Sequence, residues 1–204
     1  MRINRAAGFT LIEMLVSLSI FAVMTGFLMA SFRTGKQADE LRIASQVGMT
    51  VIRRTQTRAL AGSTVKICRG GSRDLKICPT GAAEDCPGGI CSTEVPLGYG
   101  VRFDTAAGAS SAAIEYADTN GNMTYDDGEE IQKTPLSTTP NVTVKTVTPS
   151  NDGRLDIIFV PPRPTIFLNG VTTTATATIE LTHSASGETR TVQLNRISGQ
   201  ISSD

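Results

Sequence analysis

Residues 9–30 read FTLIEMLVSLSIFAVMTGFLMA, twenty-two positions with a single charge, Glu13. As an α-helix rising 1.5 Å per residue they extend roughly 33 Å, enough to cross a hydrocarbon core of about 30 Å. Arg2, Arg5 and the amino terminus precede the run. The positive-inside rule therefore keeps the N-terminus cytoplasmic and sends the remainder across the inner membrane in a single pass. A secretory signal peptide would carry an uncharged apolar region of about 7–15 residues followed by a small-x-small cleavage site. The length of this run and its early carboxylate speak against that.

A carboxylate inside a spanning segment costs about 2.5–3.5 kcal/mol on insertion scales, so Glu13 needs a partner. The stretch before it, MRINRAAG, is short, polar and basic, ends in Gly8, and is followed by Phe9-Thr10-Leu11-Ile12-Glu13. This string resembles the type III signal of the type IV pilin family. The resemblance implies that a membrane prepilin peptidase cuts after Gly8, and that the new N-terminal residue, Phe9, is N-methylated. It also implies that Glu13 neutralises the terminal amine of an adjacent subunit during assembly. The rival reading is an uncleaved anchor helix whose acid snorkels to the interface. Thr25 and Gly26 interrupt the apolar run late, a glycine costing about 1 kcal/mol within a helix relative to alanine.

Residues 36–61 continue as an amphipathic helix, with Leu41, Ala44, Gly48, Val51, Ile52, Thr55 and Ala59 at helical spacing on one face. Arg42, Gln46, Arg53 and Arg58 fall largely elsewhere, and Gly62 is placed as a helix stop. One long helix is expected, lipid-facing in its first half and sheet-facing in its second.

Beyond Gly62 the pattern turns to strands. Residues 64–68, 97–103, 112–117, 142–147, 155–160, 175–181 and 190–194 are short, rich in Val, Ile, Thr and Phe, and bounded by turn residues. Ser186-Gly187 reads as a hairpin turn. Pro161, Pro162 and Pro164 stop one strand and confine their surroundings to an edge or loop. The expected fold is α+β: a helix packed on antiparallel sheet, with a leader at 1–8, an anchor helix at 9–35 and one globular domain at 36–204.

The globular part resembles the H-type pseudopilins of type II secretion and the FimT-like minor pilins. The resemblance rests on Val65-Lys66-Ile67-Cys68, Tyr99-Gly100-Val101-Arg102-Phe103, and a closing hairpin through Val192-Gln193-Leu194 and Ser198-Gly199-Gln200-Ile201. It implies the pilin architecture and a minor subunit.

The chain's 204 residues are 40% apolar and 19% charged with no formal net charge, enough to bury a core, and nothing global marks a nucleic-acid binder. Removal of the leader would delete Arg2 and Arg5 and leave a side-chain charge of 0 − 2 = −2. The charge is unevenly spread. Residues 31–76 hold ten Lys/Arg against three acids (+7), and residues 84–130 hold ten acids against Arg102 alone (−9). Such a chain can pair its own halves, pair with neighbouring copies or hold a cation.

Cys68, Cys78, Cys86 and Cys91 lie in one Gly/Pro-rich stretch. An even count on the far side of a membrane favours disulfides. Neighbours meet most easily, so Cys68–Cys78 with Cys86–Cys91 is the expected pairing, although four cysteines allow three. Zinc is the rival, but the gaps of nine, seven and four residues contain no C-x-x-C knuckle.

Residues 118–129 read DTNGNMTYDDGE. Calcium takes six to eight oxygens from a loop short enough to wrap it. In EF-hand register Asp118, Asn120 and Asn122 take positions one, three and five, Thr124 offers its carbonyl, and Asp126 and Glu129 take nine and twelve. Met123 stands where that motif has glycine, and the flanks read as strand or loop. The competing reading is a polar hairpin tip turning at Asn120-Gly121.

No nucleophile elbow, phosphate loop, zincin or dinucleotide motif occurs, and the single histidine, His183, stands beside Ser184. No enzymatic activity is expected. The sequence reads as a structural subunit of a type IV pilus or type II secretion pseudopilus. Its partners would be other pilin subunits, the processing peptidase/methyltransferase and the membrane. Two alternatives differ in class. A DNA-uptake pilin would carry a basic C-terminal Gly-Arg-x-Arg motif, where this chain has Gly199-Gln200-Ile201-Ser202. An uncleaved, membrane-tethered extracellular domain would keep its leader.

Overall fold

The computed structural model describes residues 9–106, 111–162 and 165–204, with backbone alone at 30, 33, 34 and 83. The leader, with Arg2, Arg5 and Gly8, and Pro164 lie outside the described residues. The chain divides into two compact units, up to Asp39 and from Glu40 onwards.

One helix, α1, runs over Leu11–Leu60, joining the two helical stretches read from the sequence. Its residues Leu11–Met29 are long and apolar enough to cross a membrane, and their side chains are exposed. The helix ends where expected. Gly62 adopts φ 56°, its N–H donates to the Ala59 carbonyl at 3.2 Å, and the Ser63 N–H donates to Arg58 at 3.1 Å. This paired closure satisfies the last carbonyls and needs a residue free to enter the left-handed region.

Within Glu40–Asp204, the second half of α1 buries Leu41, Ala44, Val51, Ile52, Thr55 and Ala59, the face its periodicity marked, and Ser45 with them. Each large aliphatic side chain buried there contributes about 1.5–3 kcal/mol.

The strands are β1 (Val65–Arg69), β2 (Ile90–Glu94), β3 (Gly98–Asp104), β4 (Ala112–Asp118), β5 (Glu130–Pro135), β6 (Val142–Thr148), β7 (Arg154–Val160), β8 (Thr165–Leu168), β9 (Thr176–His183), β10 (Thr189–Asn195) and β11 (Ile201–Ser203). They form antiparallel sheets in the orders β1-β2, β5-β4-β3-β7-β8 and β11-β10-β9-β6. One core gathers helix and sheet residues, among them Ile52, Tyr99, Phe103, Ile157, Phe159, Ile179, Val192 and Leu194, together with Leu136 just after β5. The fold is therefore α+β, as the pattern indicated. The hairpin turn at Ser186-Gly187 joins β9 to β10, with Gly187 at φ 70°. The proline-bounded segment becomes β8, an edge strand on β7.

Oppositely charged segments meet inside the domain. The Arg54 guanidinium forks onto Glu115, which is buried, and reaches Thr134 Oγ1 at 3.1 Å. Arg69 on β1 pairs with Glu94 on β2. Part of the sequence's charge asymmetry is thus absorbed internally.

Candidate functional site

The start of α1 is built by a reciprocal pair. Glu13 Oε2 accepts the Thr10 N–H at 2.8 Å and the Thr10 hydroxyl at 2.7 Å, while the Glu13 N–H donates to Thr10 Oγ1 at 3.3 Å. This is a capping box, which satisfies helix-end donors that have no partner inside the helix. Its Thr-x-x-Glu spacing is legible in the sequence, but the expected reading of Glu13 did not include it. Thr10 therefore stands with Glu13 in the cap of this helix. Phe9, Ile12, Glu13, Val16 and Ser17 share an open recess. Ser17, Ser19 and Thr25 turn their hydroxyls back onto the carbonyls of Glu13, Val16 and Phe21 at 2.7–2.8 Å. The polar groups of this segment are thereby satisfied within the helix.

The acidic loop joins β4 to β5 and folds around two carboxylates. Asp118 is buried at the end of β4, Oδ1 accepting the Gly121 N–H at 2.7 Å and Oδ2 the Met123 N–H at 3.1 Å. Met123 adopts φ 60°, the left-handed conformation for which calcium loops use glycine at that position. Asn120 Oδ1 accepts the Asn122 N–H at 3.0 Å, Asn122 Oδ1 accepts the Thr124 N–H at 2.9 Å, and both amide groups donate to Asp126 Oδ2. Glu129 closes the loop. Its Oε1 accepts the Thr119 N–H and hydroxyl, and its Oε2 accepts the Asp126 N–H at 3.0 Å. Asp118, Asn120, Asn122, Asp126 and Glu129 therefore share one interlocked loop, with the Thr124 backbone inside it. The flanks are strands, so the loop is not part of a helix–loop–helix.

Burial raises the pKa of Asp118 above 3.8 and that of Glu129 above 4.5, against the backbone donors that favour the ionised forms. Among the described residues neither carboxylate forms an ion pair. Thr119 and Tyr125 are the loop residues that the sequence reading missed. The Leu75 carbonyl also lies within reach of Thr119 Oγ1 and shares that hydroxyl's single proton with Glu129. Tyr125 sits edge-on to Tyr116 at 5.3 Å, with the Arg102 guanidinium 4.8 Å from its ring centre. An aromatic ring in an otherwise polar loop was the available signal for Tyr125; Thr119 had none.

The cysteine-rich segment packs beside this loop. The Ile77 N–H donates to the Gly128 carbonyl at 2.8 Å, and Lys76 Nζ donates to the Asp127 carbonyl. All four cysteines are in disulfides, but the expected pairing of neighbours is wrong: Cys68 bonds Cys86 and Cys78 bonds Cys91. Register supplies the reason. Residues 76–78 run antiparallel to β1 with Ile77 opposite Ile67, which places Cys78 across from Lys66 instead of Cys68. A 3-10 turn at Ala83–Asp85 then delivers Cys86 to Cys68. Gly71 and Gly89 let the two backbones touch; a Cβ at either would lie 2.2 Å from a carbonyl oxygen of the facing strand of loop.

His183 is buried and fully engaged. Nδ1 faces the N–H groups of Ala185 and Ser186, so the proton resides on Nε2, which donates to Glu40 Oε2 at 3.2 Å. Glu40 also accepts the Thr139 hydroxyl at 3.0 Å, which holds its carboxyl below the ordinary value.

No curated protein and no solved structure matched the chain. Residues 3–29 match the family described as the prokaryotic N-terminal methylation motif. That match covers residues 3–8 of the leader, Phe9, Glu13 and the apolar half of α1, and it is consistent with a type IV pilin-like protein.

Proposed function

We propose that the mature protein is a structural subunit, a minor pilin or pseudopilin, of a type IV pilus or type II secretion pseudopilus. In this reading a prepilin peptidase cuts after Gly8, Phe9 is methylated, and α1 inserts among the helices of neighbouring subunits. The methylation motif at residues 3–29 carries the reading. The basic leader supports a cytoplasmic N-terminus, and the two disulfides support an extracytoplasmic domain.

Glu13 takes the assembly role, pairing with the amine of an adjacent Phe9 in a low-dielectric filament core. Its capping bonds with Thr10 hold the carboxylate at the helix start. Glu13→Ala is expected to leave cleavage after Gly8 intact and to abolish incorporation into filaments. Thr10→Ala, which removes the cap hydroxyl alone, is expected to reduce incorporation much less. Normal incorporation of Glu13→Ala would remove the assembly role.

The subunit is read as non-catalytic, and His183, with both ring nitrogens committed, supports this. A DNA-uptake role would call for a Gly-Arg-x-Arg motif where residues 199–202 read Gly-Gln-Ile-Ser.

A second reading concerns the acidic loop, and the observation that favours it is a pair of buried carboxylates without a cationic partner among the described residues. Asp118, Asn120, Asn122, Asp126, Glu129 and the Thr124 carbonyl would supply oxygen ligands to one calcium ion. Free calcium at a hundredfold excess over its dissociation constant stabilises a fold that binds it by about 2.7 kcal/mol. A rise in Tm with calcium over a chelator, lost in Asp118→Asn, is the expected result. Equal Tm values in both conditions would rule the ion out.

A further inference from the structure

Three of the four cysteine sulfurs, those of Cys68, Cys78 and Cys86, form one compact cluster, with Cys91 tied to it through Cys78. Sγ of Cys78 lies 3.2 Å from that of Cys86 and 3.6 Å from that of Cys68, across no covalent bond. Those three sulfurs all lie within 4.8 Å of one another, and Cys91 is bonded to Cys78. Cys68, Cys78 and Cys86 are buried. Four zinc-bound thiolates at about 2.3 Å from the metal are separated by edges of roughly 3.8 Å. The two non-bonded contacts are already close to that spacing. The Cα atoms stand 5.4 Å apart for Cys68 and Cys86 and 6.3 Å for Cys78 and Cys91. The lack of a C-x-x-C knuckle, which counted against zinc in the sequence, is thus made good by strand pairing: β1 and β2 set Cys68 directly opposite Cys91. A cation stands close by as well, since Arg73 Nη1 donates at 3.1 Å to the Asp85 carbonyl that lies 3.4 Å from Cys68 Sγ.

From this geometry we infer that the reduced chain holds one soft divalent cation, zinc foremost, on the thiolates of Cys68, Cys78, Cys86 and Cys91. A chain made in a reducing compartment carries four thiols before its disulfides form. Zinc displaces four protons from them to give a tetrathiolate of charge −2. Oxidation then empties the site. Two disulfide molecules of an oxidant accept four electrons, four protons are taken up, four oxidant thiols leave, and Zn²⁺ departs as the two protein disulfides form. The metal and the disulfides are alternative occupants of one cluster.

The test uses the full chain in detergent, reduced by a phosphine, which takes oxygen from water as it turns each disulfide into two thiols. Cobalt(II) is the probe, because tetrahedral tetrathiolate cobalt shows intense d–d bands and sulfur-to-metal charge transfer. The reduced protein is expected to develop these bands at one equivalent of cobalt and to lose them on adding one equivalent of zinc. The oxidised protein is expected to show none. Cys91→Ser should weaken cobalt binding at least about tenfold, the loss typical even of residues that only support ligands. Glu188→Gln, on the exposed turn between β9 and β10, should leave the bands unchanged. The inference is overturned if the reduced wild-type chain gives no such bands or if the oxidised chain gives them equally. The wild-type spectra decide the matter even where Cys91→Ser does not fold.

Discussion

Arg54 on α1 and Glu115 in the middle of β4 form a bidentate ion pair whose carboxylate is 1% exposed. Removing one member of such a pair leaves the other charge uncompensated, which costs about 3–5 kcal/mol. Arg54→Ala is therefore expected to lower stability by about that amount, read from urea unfolding of the full chain in detergent. Arg54→Lys keeps the charge without the fork and should recover only part of the loss. A change in Arg54→Ala no larger than that of an exposed surface residue would contradict this role.

Gly100 and Gly48 should respond oppositely to alanine. A Cβ at Gly100 would lie 2.1 Å from Cζ of Tyr116, a fully buried ring whose hydroxyl donates to Asp156 at 3.2 Å. The ring cannot withdraw, so Gly100→Ala should cost about 1–3 kcal/mol or more. At Gly48, in α1, the added methyl meets Leu136 at 3.8 Å and Val192 at 3.9 Å, ordinary contact distances. Gly48→Ala should stabilise the protein by up to about 1 kcal/mol. Paired unfolding midpoints check both signs.

The acidic loop carries a pH signature. Burial holds Asp118 and Glu129 above their ordinary pKa values in the metal-free fold. The folded chain then binds these protons more readily than the unfolded one. Ionising the two groups disfavours the fold above the raised values, and the penalty fades as pH falls towards the ordinary carboxylate range. Calcium competes with those same protons. Its stabilising effect should be largest near neutral pH and shrink as the solution is acidified towards about pH 4. A calcium-induced rise in Tm that stays constant over that interval would place the ion elsewhere.

Most of the fold was legible because its determinants are local. The period of Leu41 to Ala59 marked the buried face of α1, and Gly62 marked its end. Strand β11 was reached as the far arm of the closing hairpin, while those that escaped notice, β2, β5 and β8, are short and lie at sheet edges or in the two-stranded sheet. There, half-exposed runs such as Glu130–Pro135 carry little hydrophobic alternation. The disulfide pairing was hidden because it follows from the register of residues 76–78 against β1, a non-local fact. In the acidic loop the spacing of the carboxylates and amides could be read directly. The left-handed Met123 could not, because nothing in a methionine announces that backbone.

The most direct test of the central claim is intact-mass and N-terminal peptide mass spectrometry of the protein from its native membrane, with and without an active prepilin peptidase. The account predicts a chain beginning at Phe9 and carrying one added methyl when the peptidase is active, and the full leader when it is not. A chain that keeps residues 1–8 in the presence of the active enzyme would contradict it and make the protein a tethered domain.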